Sequence, residues 1–267
     1  MRPRLVLSIA GSDSGGGAGI QADIKTVMAL GGYAATAITA VTAQNTKGVD
    51  GVVLMQADFV RQQIDVVLSD LGADAIKIGM LGNAQIIRAV ADILTRATAA
   101  PIVLDTVMVA KGGAALLDPD AVASLRTRLM PIAAVITPNI AEAEALTGLA
   151  ITDLAGARRA AGQLLGQGAR AVLIKGGHLP GENATDLLLT AQGETLFSLP
   201  RIQTRHTHGT GCTLSSAIAI GLALGHPLAD AVRRAKLYVQ RAIATAPGLG
   251  HGYGPLNHAI PPEEFPA

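Results

Sequence analysis

Short, continuously apolar runs alternate with longer amphipathic stretches along most of the chain. The runs at 4–10, 34–41, 75–78, 102–105, 133–137 and 171–175 predict strands. Most of them lack a polar face, as expected of strands covered on both sides. Between them, apolar residues recur at helical spacing over 20–30, 58–71, 84–96, 120–129, 141–146 and 154–166. Strands alternating with helices imply βαβ units, hence an α/β fold with a central, mostly parallel sheet and helices on both faces. The segments 184–190 and 194–199, separated by Ala-Gln-Gly, read as an edge hairpin. The last third predicts two helices, at 209–224 and 228–244, followed by a Gly/Pro-rich irregular tail. No linker, low-complexity tract or internal repeat breaks the pattern, so residues 1–267 read as one domain.

Composition narrows the functions. The chain is 49% hydrophobic with 2% aromatic residues and no Trp, so its core must be built from Ala, Val, Ile and Leu. Stacking platforms for single-stranded nucleic acid are hard to assemble from such a chain. A net charge of +1 gives no basic excess for nucleic acid or an anionic membrane. The apolar run at 5–10 is short and leads into a Gly/Ser/Asp cluster, which reads as a buried strand and not an export signal. No uninterrupted apolar stretch reaches the roughly 18 residues of a membrane span. Cys212 is the single cysteine, which fits a reducing, cytoplasmic setting.

Ligands of doubly wound sheets bind beyond the carboxyl ends of the strands. Four segments fall there. Gly11-Ser12-Asp13-Ser14-Gly15-Gly16-Gly17-Ala18-Gly19 joins the first strand to the first helix. Its glycines admit a close ligand and positive φ, although it is neither a Walker A loop nor a clean G-x-G-x-x-G. Thr137-Pro138-Asn139-Ile140-Ala141-Glu142 starts a helix. Glu142 completes a capping box there; alternatively Asn139 and Glu142, three apart on one face, hold waters of a hydrated Mg²⁺. Lys175-Gly176-Gly177-His178 ends another strand, with little steric cover between the lysine and a phosphate. His208-Gly209-Thr210-Gly211-Cys212 opens a long Ala-rich helix, where backbone N–H groups and the helix dipole suit an anion. Cys212 in that first turn is expected to have its thiol pKa lowered from about 8.5.

Together these segments resemble the ribokinase-like superfamily of vitamin and sugar kinases. Within it the resemblance is closest to the hydroxymethylpyrimidine/phosphomethylpyrimidine kinases of thiamine biosynthesis. It runs through AGSDSGGGAGIQADIKT, TAVTAQNTKGV, KIGMLG, VLDTVMVAKGG, ITPNIAEAEAL, LIKGGH, THGTGCTLSSAIA and GPLNH, in the family's order and over nearly the whole chain. It implies a homodimeric kinase that uses ATP and Mg²⁺ to phosphorylate 4-amino-5-hydroxymethyl-2-methylpyrimidine, then its monophosphate. By motif match, Gln44 reads the aminopyrimidine edge, since a carboxamide offers both donor and acceptor. Met80 and Val107 pack on the ring, Gly11 and Ala18 close the pocket, and Asp23 of the first motif belongs to the substrate side. Asp105, Thr137, Asn139 and Lys175 serve the nucleotide, with Glu142 and Asp105 toward the metal. Gly209, Thr210 and Gly211 form the anion hole, and Cys212 stands where many relatives have an Asp base.

Two departures stand out. The tail reads GLGHGYGPLNH where many members have a tighter GHGPLNH, and Lys236-Leu-Tyr-Val-Gln-Arg replaces a common K-x-Y-V-T-x pattern. A pyridoxine or pyridoxal kinase of the same fold is the nearest rival, because pyridoxine also carries a hydroxymethyl group on a heteroaromatic ring. A non-catalytic vitamin sensor is a third reading, which the intact anion and metal segments disfavour.

Overall fold

The structure, a computed structural model, describes residues 2–108 and 119–260. Part of VLDTVMVAKGG and the end of the tail lie outside these residues. The described strands are β1 (Leu5–Asp13), β2 (Tyr33–Gln44), β3 (Val49–Leu54), β4 (Ala75–Ile78), β5 (Ile102–Leu104), β6 (Val135–Ile136), β7 (Ala171–Ile174), β8 (Asn183–Thr190) and β9 (Gly193–Pro200). They form one sheet in the order β3-β2-β1-β4-β5-β6-β7-β8-β9. Pairing is parallel from β2 to β7 and antiparallel at the two edges. The described helices are α1 (Gly19–Ala29), α2 (Ala57–Asp70), α3 (Ala84–Ala97), α4 (Pro119–Ser124), α5 (Ile140–Thr147), α6 (Leu154–Gly166), α7 (Thr210–Ala223) and α8 (Leu228–Ala244).

Strand alternation sorts the core into two layers. Leu5, Leu7 and Ile9 of β1 join a cluster with residues of α2 to α6. Val6 points the other way, into a cluster with α1, α7 and α8. Both layers are mainly aliphatic, with Phe197 and Tyr238 the aromatic members of the second. Helix α7 lies deepest, with Leu214 to Gly221 all buried between the sheet and its neighbouring helices.

Three local differences from the sequence pattern have physical causes. β1 runs on past Ala10 through a register shift between Ala10 and Ser12. A bulge of this kind bends a strand and re-aims its side chains. At Gly11 a Cβ would sit 3.4 Å from Met80 Sδ, an ordinary contact distance that places the Met80 side chain beside the end of β1. β3 carries no burial signal: Val53 is 65% exposed and Gly51 breaks its apolar pattern, so its extended form comes from pairing with β2. The expected helix at 120–129 is wound as α4, then a π turn over Leu125–Leu129 and a 3₁₀ turn over Met130–Ile132. That change of winding still buries Leu125, Leu129 and Met130.

A polar cluster crosses the second layer. Ser8 of β1 and Lys77 of β4 are register partners. Both bond Asp23 Oδ2 of α1, at 2.6 and 2.9 Å, while Ser216 of α7 donates to Asp23 Oδ1 at 2.7 Å. Lys77 and Asp23 are fully buried, so each charge depends on the other. Asp23→Ala is expected to cost about 3–5 kcal/mol in urea unfolding, because it strands a buried ammonium. Asp23→Leu combined with Lys77→Met should cost clearly less; equal losses would mean that the ion pair is not what matters there.

Candidate active site

All the singled-out segments meet at the carboxyl edge of the parallel strands. Asp13 and Gln44 end β1 and β2, Met80 and Asp105 follow β4 and β5, and Asn139 and Lys175 follow β6 and β7. The chain turns to opposite sides of β1 when it enters β2 and β4, and that switch point is where such sheets open a crevice. Gln44, Met80, Val107, Asn139, Lys175 and Cys212 are all half-buried there, as cleft-lining groups must be. A surface hollow of about 770 Å³ elsewhere, beside Phe59, Arg61 and Arg96, contains none of them.

The glycine-rich loop is organised around an anion of its own. Asp13 Oδ1 accepts from Gly15 N–H at 2.8 Å, and Oδ2 accepts from Gly17 and Ala18 N–H at 3.0 and 2.8 Å. His208 Nε2 lies 2.9 Å from the same Oδ2. Burial works against the charge on Asp13, but His208 and the amides still hold its carboxyl below the usual range. The loop amides are therefore committed to Asp13 and are not free for a phosphate, although the loop precedes a helix.

An open anion site lies instead at the start of α7. Gly209 takes φ +84°, and a Cβ there would come within 1.8 Å of Gly17 O, so only glycine brings the two loops together. No side chain caps the helix. Thr210 N–H is tied back to Thr207 O at 3.4 Å. The N–H groups of Gly211 and Cys212 have no acceptor among the described residues. They point outward at the positive end of a fourteen-residue helix.

Beside this turn sits a charged group. Lys175 Nζ donates to Asp105 Oδ1 at 2.8 Å and lies 3.8 Å from Glu142 Oε2. A Cβ on Gly211 would be 3.4 Å from both Asp105 Oδ2 and Lys175 Nζ, which places the open amides against the pair. Burial opposes the Asp105 charge, but Lys175 and Lys77 outweigh it and hold the carboxyl below the usual range. Glu142 goes the other way: burial, with Asp105 nearby, raises its carboxyl above the usual range despite Lys175. Glu142 and Asn139 form the complete capping box of α5. Glu142 Oε2 makes its bonds to Asn139 N and Thr106 Oγ1, which leaves Oε1 without a partner among the described residues.

A sequence profile of the phosphomethylpyrimidine kinase family matches residues 13–257. The chain belongs to this family. It is 55% identical to the hydroxymethylpyrimidine/phosphomethylpyrimidine kinase of Rhizobium meliloti, over 95% of this chain and 96% of that protein. It is 51% identical to a thiamine biosynthesis bifunctional protein of Geobacter sulfurreducens, of whose length it spans 53%. The crystal structure of a Clostridium difficile phosphomethylpyrimidine kinase matches with a TM-score of 0.80 at 42% identity, over 90% of this chain and 99% of that one. Staphylococcus aureus pyridoxal kinase in complex with AMP-PCP and pyridoxal has a TM-score of 0.90 at 34% identity, over 97% and 94% of the two chains. The ribokinase-like fold of these kinases is the fold of this chain.

For this family member, two residues differ from their expected roles. Asp23 does not line the cleft: its surface exposure is 0% and both oxygens are bonded inside the core. Thr137 is also fully buried and donates to Asp105 Oδ1 at 3.0 Å, so it orients the carboxylate from beneath. The Cys212 thiol is shifted opposite to the expectation. Burial pushes it up to about 11, and the Lys77 charge and the Gly19 N–H beside it do not compensate. The open amides also differ by one residue from the expected Gly209 to Gly211 set. Two contributors had only weak sequence signals. Asp13 and His208 lie inside quoted motifs, but only their contact across the fold reveals what they do.

Cys212 is therefore a neutral thiol at neutral pH, and its reactivity should rise as pH rises toward 11. Iodoacetamide labelling at pH 8 is expected to be about 10–100-fold slower than for a free thiol, with no plateau below pH 9. A plateau near pH 7 would show a lowered pKa instead.

Proposed function

We propose that the protein transfers the γ-phosphoryl group of ATP to the hydroxymethyl group of 4-amino-5-hydroxymethyl-2-methylpyrimidine, and then a second one to the resulting monophosphate. The observation that carries this reading is the pair of open N–H groups at Gly211 and Cys212, set against Asp105 and Lys175. Phosphoryl transfer needs mainly positioning and charge neutralisation. Here a helix N-terminus faces the transferring group and Lys175 neutralises phosphate charge. Gln44 reads the ring edge, with Gly11, Ala18, Met80 and Val107 around the ring. Asn139 stands on the nucleotide side. Cys212 lines the acceptor side as a neutral thiol; accepting the hydroxyl proton would first require it to lose its own.

Mg²⁺ fits the residues present. Among the described residues Glu142 Oε1 has no partner and Asp105 Oδ2 has only a long bond from Ser215 at 3.4 Å, and the two carboxylates disfavour each other's charge. Among the described residues no group of three or more His, Cys, Asp or Glu is arranged to hold a metal. That suits an ion held by one or two carboxylates, water and substrate phosphate oxygens. Such an ion would neutralise charge on the phosphates. A single-domain, cytoplasmic homodimer completes the reading. Val41 and Val53, register partners on one face of the β2–β3 ribbon, leave an exposed apolar patch that a second copy would cover, and no described helix is long and apolar enough to cross a membrane.

A coupled assay is expected to show ATP-dependent turnover of the hydroxymethylpyrimidine and of its monophosphate. Turnover of pyridoxal alone would move the assignment to the pyridoxal kinases of this fold. Glu142→Gln removes the charge while keeping the size and the cap acceptor. It should raise the Mg²⁺ concentration needed for half-maximal rate by about tenfold, the effect of losing roughly 1.4 kcal/mol. A Mg²⁺ titration that overlays the wild type would leave Glu142 a helix cap only.

A further inference from the structure

His208 is a titratable side chain that touches both the glycine-rich loop and Gln44. Its backbone N–H donates to Gly254 O at 3.1 Å, and a Cβ on Gly17 would meet its ring at 2.5 Å. The imidazole is thus held from two sides, with Nε2 2.9 Å from Asp13 Oδ2 and 3.3 Å from Gln44 Nε2.

The hydrogens in this cluster are overdetermined. Asp13 is ionised and accepts from two backbone amides through the same oxygen, so it has no hydrogen to offer. His208 Nε2 must therefore carry one. As placed, Gln44 Nε2 then opposes another donor. On its other side Gln44 Oε1 lies 3.1 Å from Thr42 Oγ1, which is also 3.1 Å from Ser12 O. Thr42 has a single hydrogen, and two acceptors compete for it. A half-turn of the carboxamide removes the donor–donor opposition and frees the Thr42 hydrogen, leaving the one Nε2 hydrogen of His208 shared between Asp13 Oδ2 at 2.9 Å and the Gln44 oxygen at 3.3 Å. Its oxygen then accepts from His208, its nitrogen donates to Thr42, and Thr42 donates to Ser12.

We propose that His208, held by Asp13, fixes which way round the Gln44 carboxamide faces, and so makes the pocket discriminate a 4-aminopyrimidine from the corresponding 4-pyrimidinone. The proposal rests on the reading above that Gln44 faces the ring. An aminopyrimidine edge presents a ring-nitrogen acceptor and an exocyclic donor. A pyrimidinone in the same pose presents a ring N–H donor and an exocyclic acceptor. A carboxamide free to turn over serves both; one locked by His208 on one side and Thr42 on the other serves only one. His208 is in this respect a positioning residue and need not touch the reacting atoms.

The test compares kcat/KM for 4-amino-5-hydroxymethyl-2-methylpyrimidine and its 4-oxo counterpart. His208→Phe keeps a ring of similar size without the donor and should shrink the wild-type preference by about 10–100-fold, mainly through KM. His208→Gln, whose Nε2–H reaches the same place, should restore much of it. A role confined to packing the loop would lower both substrates alike and leave the ratio unchanged, which overturns the proposal. If Gln44→Leu also leaves the ratio unchanged, the ring assignment of Gln44 falls, and the proposal with it. If only His208→Phe leaves the ratio unchanged, the proposal alone falls. Should His208→Phe not fold, ¹⁵N spectra of the wild type decide: hydrogen on Nε2 of His208 is expected, and a neutral ring protonated only at Nδ1 overturns the inference.

Discussion

The buried pair of Asp23 and Lys77 is the constraint on which the site's geometry depends. Neither charge is tolerable alone in an aliphatic layer, so α1, β1, β4 and α7 must assemble together or not at all. That assembly sets the position of α7, and the position of α7 sets where its open N–H groups point. Ala, Val, Ile and Leu fill space without directional preference. A charged pair with serine partners on two sides gives this layer a specific register. Lys77 also faces Asp105 and Cys212, so the same ammonium that docks α1 contributes to the field of the cleft.

Charge in the cleft is balanced unevenly, and the imbalance is useful. Lys175 is shared between Asp105 at 2.8 Å and Glu142 at 3.8 Å, and the nearer carboxylate has the greater claim on it. Asp105 is held ionised while Glu142 is pushed toward its neutral form. A site in that condition gains from any added positive charge, and its Lys175 gains from any added phosphate. Cys212 sits among these groups as a thiol because burial and two carboxylates outweigh one ammonium and one amide.

The two glycine-rich segments play opposite parts. The loop after β1 turns its amides inward on Asp13 and becomes rigid; the turn before α7 leaves its amides open. Gly209 couples them, because its backbone passes so close to Gly17 that no side chain fits. The C-terminal strap adds a second tie. Tyr253 N–H bonds Thr46 O at 2.7 Å and His208 N–H bonds Gly254 O at 3.1 Å, so the turn beyond Gln44 and the anion loop are held by one segment. That segment thus braces the cleft from the C-terminal side.

Much of this was legible in the chain because it is local. Apolar runs located six parallel strands, helical spacing located most of the helices, and glycine clusters at strand ends located the loops that meet in the cleft. The capping box at Asn139 and Glu142 follows from residues three apart, and the eight ordered motifs pointed to the kinase family. What escaped depends on contacts between distant residues. β3 has no buried face to announce it, and Asp23, which its motif put on the substrate side, is seen to lie in the core only when Lys77, fifty-four residues on, is placed against it. The sign of the Cys212 shift belongs to the same class: a helix N-terminus lowers a thiol pKa, and only the tertiary structure decides that burial outweighs it. His208 and Asp13 are 195 residues apart, and their contact exists only after the sheet has brought both loops to one edge. Sequence patterns determined which groups were available at the strand ends; desolvation and long-range pairing, which have no local signature, decided their charge states and which of them touch.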